Sequence, residues 1–188
     1  MKKFTRIEPT TIQEVGDRFK DQIVIKRYQT EDGLTHEFTT FHKEGMLAVA
    51  TLALTEDNRA IIVRQFRAGR EFYCDEIPGG AVEAGEDIEA AAKRELMEET
   101  GYQPGALEYL GAYSWDAYAN FTAHYFLALD CKLSGEPNRD QTETDQGIET
   151  RLISIAELIE NAKTNKMTDA VAVLMAYDTL KELEGGER

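Results

Sequence analysis

The chain has 188 residues, 42% hydrophobic and 30% charged, with 35 acidic against 21 basic side chains and a net charge of −14. That length supports one domain with a substantial core, and the composition is ordinary for a water-soluble globular protein. The acidic balance argues against a nucleic-acid partner, whose phosphates need a basic face, but not against a small phosphorylated ligand, because a bound metal reverses the local sign.

The N-terminal MKKFTRIEPT has no apolar run after its lysines, so no signal peptide is expected. No stretch approaches the ~20 apolar residues of a membrane span, and the expectation is a cytoplasmic protein without a membrane partner. Cys74 and Cys131 show no metal-ligand spacing and read as reduced structural thiols. Residues 1–16 carry little signal. DQIVIKRYQT (21–30) reads as a strand, EDG (31–33) as a hairpin turn and HEFTTFH (36–42) as the return strand. This pattern sets off residues 1–45 as a strand extension and 46–188 as the main domain.

MLAVATLAL (46–54) reads as a buried strand and AIIVRQF (60–66) as its partner. Arg64, Arg67 and Arg70 follow at a spacing of three, either as a solvated edge or as a clamp on substrate phosphates. YCDEIP (73–78), with Glu76, is a short strand. Beyond it, Pro78, Gly79 and Gly80 have turn chemistry. Glu86 and Asp87 suit a helix N-terminus, and the helix formers from Ile88 run to Gly101, a left-handed stop.

LEYLGAYSW (107–115) and TAHYFLAL (122–129) read as strands flanking a loop. There Trp115, Tyr118 and Phe121 are either core residues or stacking surfaces. The polar segment 132–147, carrying Glu136, Asp140, Glu143 and Asp145, reads as a long loop, functional or mobile. ETRLIS (149–154) is the last strand. A short helix over 155–163 and a second over 169–183, with an apolar stripe, end the chain. Strands, a helix, strands, then helices predict an α/β or α+β sandwich.

On the first helix Glu95, Glu98 and Glu99 stand at i, i+3 and i+4, on one face. At ~6 Å and an effective dielectric of ~20, each like-charged pair costs about 3 kcal/mol before screening. Arg94 is one turn from Glu98 and relieves part of this. A hard divalent cation would relieve more. Taken alone, such glutamates read as a solvated face.

The full stretch 80–102 is GAVEAGEDIEAAAKRELMEETGY: Gly80, Glu86, Arg94-Glu95-Leu96, Glu98-Glu99 and Gly101-Tyr102 in fixed spacing. It resembles the signature of the Nudix hydrolases at every position. The resemblance implies an α/β/α sandwich with a mixed sheet, preceded here by an antiparallel strand unit. It implies Mg²⁺ or Mn²⁺ held by Glu95, Glu98 and Glu99 with the Gly80 carbonyl. It also implies hydrolysis of a nucleoside diphosphate linked to another group. Arg94 then orients the glutamates, Glu86 ties the loop to the helix through Arg94, and Glu143, with Asp145 next, is the candidate general base.

RQFRAG (64–69), EIPGG (76–80) and the N-terminal hairpin resemble the ADP-ribose and nucleotide-sugar pyrophosphatases. That likeness implies substrate contacts from Arg67 and Glu76, alongside the phosphate-clamp reading of Arg64, and a homodimer built through the N-terminal strands. The products would be a nucleoside monophosphate and a phosphorylated sugar. Where the ADP-ribose enzymes usually carry Ser-Pro-Gly, this chain has SWDAYAN (114–120), which turns the expectation toward a nucleotide sugar or another substrate. Tyr118 lies near a tyrosine that marks diadenosine-polyphosphate hydrolases. A non-catalytic binding module on this scaffold would tend to lose signature glutamates, and none is missing. An RNA-end pyrophosphohydrolase is opposed by the charge of −14.

Overall fold

The computed structural model describes residues 2–16, 21–139, 141–145 and 147–186, with the backbone alone at 142 and 143. Its strands are β1 (Phe4–Val15), β2 (Asp21–Thr30), β3 (Thr35–Thr55), β4 (Arg59–Arg67), β5 (Phe72–Glu76), β6 (Gly79–Ala81), β7 (Tyr102–Gln103), β8 (Ala106–Tyr113), β9 (Ala119–Leu133) and β10 (Glu149–Ser154). The helices are α1 (Ile88–Thr100), α2 (Gln141–Asp145), α3 (Ile155–Lys163), α4 (Ala170–Met175) and α5 (Tyr177–Glu184). The chain divides into two compact units, Met1–Leu47 with Ser114–Ala123, and Ala48–Tyr113 with His124–Arg188.

In the first unit β1, β2 and the start of β3 form an antiparallel meander, with Thr5 opposite Gln29 and Ile25 opposite Thr39. The EDG turn closes as expected, Gly33 at φ 81 donating its N–H to the Thr30 carbonyl at 2.9 Å. Strand β1 is not signalled by its sequence. It is an edge strand, mostly exposed, and its register shifts between Ile7 and Thr11, around Pro9. Phe121 is core, edge-on to His42 and Trp115, while Trp115 and Tyr118 are half exposed.

The second unit is built on β4. Its Arg64 lies opposite Asp75 of β5 on one side and opposite Glu149 of β10 on the other. Val49 of β3 pairs with Gly80 of β6, which sets the signature loop on the sheet. These ladders are antiparallel, and one parallel bridge joins Asp75 to Met167. Leu96 of α1 is fully buried with Ala53, Ile61, Ala128 and Cys131, while Ala91 and Ala92 pack on Val49 and Phe126. Hydrophobic burial of that face fixes the helix on the sheet. The class is α+β, as the order of elements predicts.

Three expectations are corrected. Residues 36–42 and 46–54 belong to the single strand β3, which passes through positive φ at His42 (φ 69) and Gly45 (φ 75) without ending. The segment 132–147 contains the short helix α2. The C-terminal helix is two, α4 and α5, interrupted at the buried Ala176 (φ −97, ψ 8), where no local breaker residue marks the stop. Cys74 and Cys131 are both buried and free, and burial pushes the Cys131 thiol up to about 12. Among the described residues no helix is long and apolar enough to cross a membrane.

Candidate active site

The site is organised by α1, and both helix ends are fixed locally. Asp87 caps the N-terminus, its Oδ1 accepting from the N–H groups of Glu89 (2.9 Å) and Ala90 (3.3 Å). Gly101, at φ 78, ends the helix and donates its N–H to the Met97 carbonyl at 2.8 Å. The last turn of α1 has no basic residue of its own. Arg139 supplies one, donating from Nε and Nη2 to the Glu99 carbonyl at 3.1 and 2.9 Å and from Nη1 to the Ile148 carbonyl at 2.9 Å.

Turning one helix face toward the sheet buries Glu95 and Glu99 beside Leu96 and leaves Glu98 at the rim. Arg94 gathers the acids. Its Nε and Nη2 hold Glu86 at 2.9 and 3.0 Å, and its Nη1 reaches Glu95 at 2.8 Å and Glu98 at 3.0 Å. Nη2 also donates to the Ala81 carbonyl at 3.1 Å, tying the signature loop to the helix. The Arg94 guanidinium holds the Glu86 carboxyl down at about 2, and Glu86 in turn raises the arginine. Glu86 therefore stays ionised through the neutral range and Arg94 stays oriented.

Glu99 Oε2 accepts from the Gly79 N–H at 3.0 Å. Gly80 lies directly against Glu95: a Cβ at Gly80 would fall 2.5 Å from Glu95 Oε1 and 2.8 Å from Oε2. Only glycine lets the backbone approach a carboxylate this closely. Gly80→Ala is expected to displace Glu95 and lower kcat about tenfold or more, as misplacement by ~1 Å does elsewhere. Steady-state kinetics beside a melting curve would test this; an unchanged kcat in a stable variant would discount the Gly80–Glu95 approach.

A second group stands on the same unit. Glu76, 5% exposed, is held in a fork by Arg67, with Nε at 2.7 Å from Oε1 and Nη2 on Oε2, and by Gln65 Nε2 at 3.0 Å. Asp169 is buried beside this pair. It accepts from the Thr168 hydroxyl at 2.8 Å and from the Ile77 backbone. Burial, helped by the nearby Glu76 charge, pushes its carboxyl up to about 6. The folded value exceeds the unfolded one, so the stabilisation is complete below about pH 4 and is lost as pH rises through about 6. Asp169→Asn should flatten this part of the stability profile, read by urea denaturation from about pH 4 to 8. An undiminished slope would assign the titration to another group.

Arg64 does not join this group. A spacing of three on a strand reverses the face. Arg67 turns to Glu76, whereas Arg64 lies 3.9 Å from Asp75 on the opposite face of β4 and β5. The Glu143 side chain lies outside the described residues, and Asp140 lies outside them altogether. Sequence reasoning missed Arg139, Gln65 and Asp169, which come from distant segments and carry no local motif.

The donor chemistry is that of a hard divalent cation: Glu95, Glu98 and Glu99 offer only carboxylate oxygens, and Gly80 adds a backbone position against Glu95. Among the described residues no three acidic, histidine or cysteine side chains converge into a metal-sized cluster. Arg94 is the cation that Glu95 and Glu98 face.

A comparison with family models matches the NUDIX domain over residues 45–174. The chain is 34% identical over 137 residues to an ADP-ribose pyrophosphatase of Bacillus subtilis, covering 72% of this chain and 73% of that protein. It is 31% identical over 137 residues to a methanol dehydrogenase activator of Bacillus methanolicus, with the same coverage. A crystal structure of an ADP compounds hydrolase matches the fold with a TM-score of 0.77 at 19% identity, over 99% of this chain and 97% of that one. The chain belongs to the NUDIX family. Within that family it is a pyrophosphohydrolase.

Proposed function

We propose that the chain hydrolyses the diphosphate linkage of ADP-ribose or of a nucleotide sugar, in the presence of Mg²⁺ or Mn²⁺, to a nucleoside monophosphate and a phosphorylated sugar. The observation that carries this reading is the assembly of Arg94 with Glu86, Glu95 and Glu98 beside Gly80 and the buried Glu99. The likeness to an ADP-ribose pyrophosphatase over most of the chain supports the substrate class.

Glu95, Glu98 and Glu99, with the Gly80 carbonyl, would hold the metal. When bound, it supplies positive charge to the phosphate oxygens and lowers the pKa of coordinated water. Arg94 keeps Glu95 and Glu98 oriented throughout. The Gly79 N–H fixes the rotamer of Glu99. Arg67 and Glu76, held by each other, present a rigid edge to the substrate. Glu143 serves as general base, a role that rests on the family resemblance.

The N-terminal unit is assigned to dimerisation. Its edge strand β1, with exposed Phe4 and Ile12, supports that assignment.

The test is phosphate release after phosphatase coupling, with Mg²⁺ and with Mn²⁺. The panel is ADP-ribose, ADP-glucose, GDP-mannose, UDP-glucose, NADH and diadenosine polyphosphates. Strong metal-dependent turnover of ADP-ribose or a nucleotide sugar, abolished by Glu98→Gln, is expected. Glu143→Gln should lower kcat by about 10²–10⁴. Preference for a diadenosine polyphosphate would reject the substrate class, and silence with both metals would reject the reaction on these substrates.

A further inference from the structure

The face of β4, β5 and β10 turned away from the Arg67–Glu76 fork carries a separate polar cavity of about 340 Å³. None of the signature residues lines it. Strand alternation explains its contents. Arg64 is opposite both Asp75 and Glu149, and Arg151 is two residues along β10 from Glu149, so Arg64, Asp75 and Arg151 share this face. The segment after α3 then runs alongside β5: Asp75 donates its N–H to the Lys166 carbonyl at 3.0 Å, and its own carbonyl accepts from Thr168 at 3.2 Å. That pairing delivers Lys166 to the same cavity, where Glu157 and Asn161 of α3 form another wall.

The charged groups gather around Asp75. Asp75 forms the floor, its side chain 8% exposed and held by Asn161 Nδ2 at 2.9 Å. Arg151 Nη1 and Arg64 Nε lie 3.6 and 3.9 Å from Asp75 Oδ1, near enough to be oriented by it and too far to be hydrogen-bonded to it. Among the described residues the side chains of Arg64, Arg151 and Lys166 make no protein hydrogen bond, so their donors are available. Three cations stand against Asp75 and Glu157 in the lining, with the exposed Glu149 beside Arg64 on the same strand face. At its rim stand Phe72 and Tyr73, 44% and 53% exposed, with the Arg70 guanidinium 5.9 Å from the Phe72 ring centre.

We propose that this cavity binds a nucleoside monophosphate, with the phosphate between Arg64, Arg151 and Lys166 and the base on Tyr73, which shares the strand face of Asp75. Guanidinium forks match the oxygens of a phosphate. Exposed aromatic rings beside them suit a planar base and have no use in binding a bare anion. The volume lies at the lower end of ligand sites, which suits a mononucleotide better than a dinucleotide. Binding here needs no metal and is independent of the signature residues, so it stands or falls apart from the proposed reaction.

Isothermal titration calorimetry on the full chain in EDTA tests it, with AMP and inorganic phosphate as the probes. AMP is expected to bind with 1:1 stoichiometry about tenfold more tightly than phosphate, and Arg151→Gln and Lys166→Gln are each expected to weaken AMP about tenfold. Arg151 also neutralises Asp75, so if its variant is unstable the exposed Lys166 carries the test alone. AMP affinity unchanged in the folded variants would overturn the assignment by placing the nucleotide elsewhere. AMP binding no tighter than phosphate, or no binding at all at about 5 mM, would overturn it equally.

Discussion

Glu99→Gln is expected to lower kcat by about 10²–10⁴ while leaving the fold intact. The substitution keeps an oxygen to accept the Gly79 N–H, now 3.0 Å from Oε2, so the loop–helix contact survives. It removes one negative charge from a site where Glu95, Glu98 and Glu99 crowd one helix face. Losing one of three carboxylates that would hold the metal forfeits about 3–5 kcal/mol of charge stabilisation, which is that range of rate. Stability should change little, because the relief of like-charge repulsion is offset by the lost attraction between Glu99 and Arg67. Kinetics over a metal titration, beside a melting curve, would read both effects. A kcat within about threefold of the parent would remove Glu99 from the chemistry.

Arg94→Gln is expected to act in the opposite sense, on stability first. Arg94 is the common partner of Glu86, Glu95 and Glu98, with its side chain 25% exposed. Breaking a buried ion pair by removing one partner costs about 3–5 kcal/mol, and the partial exposure here reduces this to about 2–3. For a chain of this size that is a fall in Tm of about 5–10 °C. Mg²⁺ at millimolar concentration should recover part of the loss, since a cation bound only by the folded state stabilises it. Circular dichroism melts with Mg²⁺ and with EDTA would show this. A Tm within about 1 °C of the parent would mean that Arg94 does not hold the carboxylates together.

Both of these residues were legible in the sequence, whereas their supports from distant segments were not. The i, i+3, i+4 glutamates, the Asp87 cap and the Gly101 stop depend on helix geometry alone, so spacing in the chain specified them. The Glu86–Arg94 link was expected from the signature and is present at 2.9 and 3.0 Å. Arg139 could not be read this way. It braces the last turn of α1 from 40 residues away, and nothing in the polar segment around it distinguishes it from a solvated arginine. Asp169 is similar: its burial beside Glu76 exists only because residues 166–168 lie along β5.

Arg64 and Arg67 show the same limit from the other side. As a sequence they are one basic cluster. In the sheet they are split, because alternate residues of a strand face opposite ways. One is drawn toward Glu76 and the other toward Asp75.

By itself the sequence determined the family signature, the helix that carries it, the α+β class and most strands, because each depends on residues close in the chain. Only the tertiary structure decided which buried carboxylates lie near one another, which arginine faces which acid, and where β1, β3 and the split C-terminal helix begin and end. Those outcomes depend on pairing between distant segments, and no local spacing encodes it.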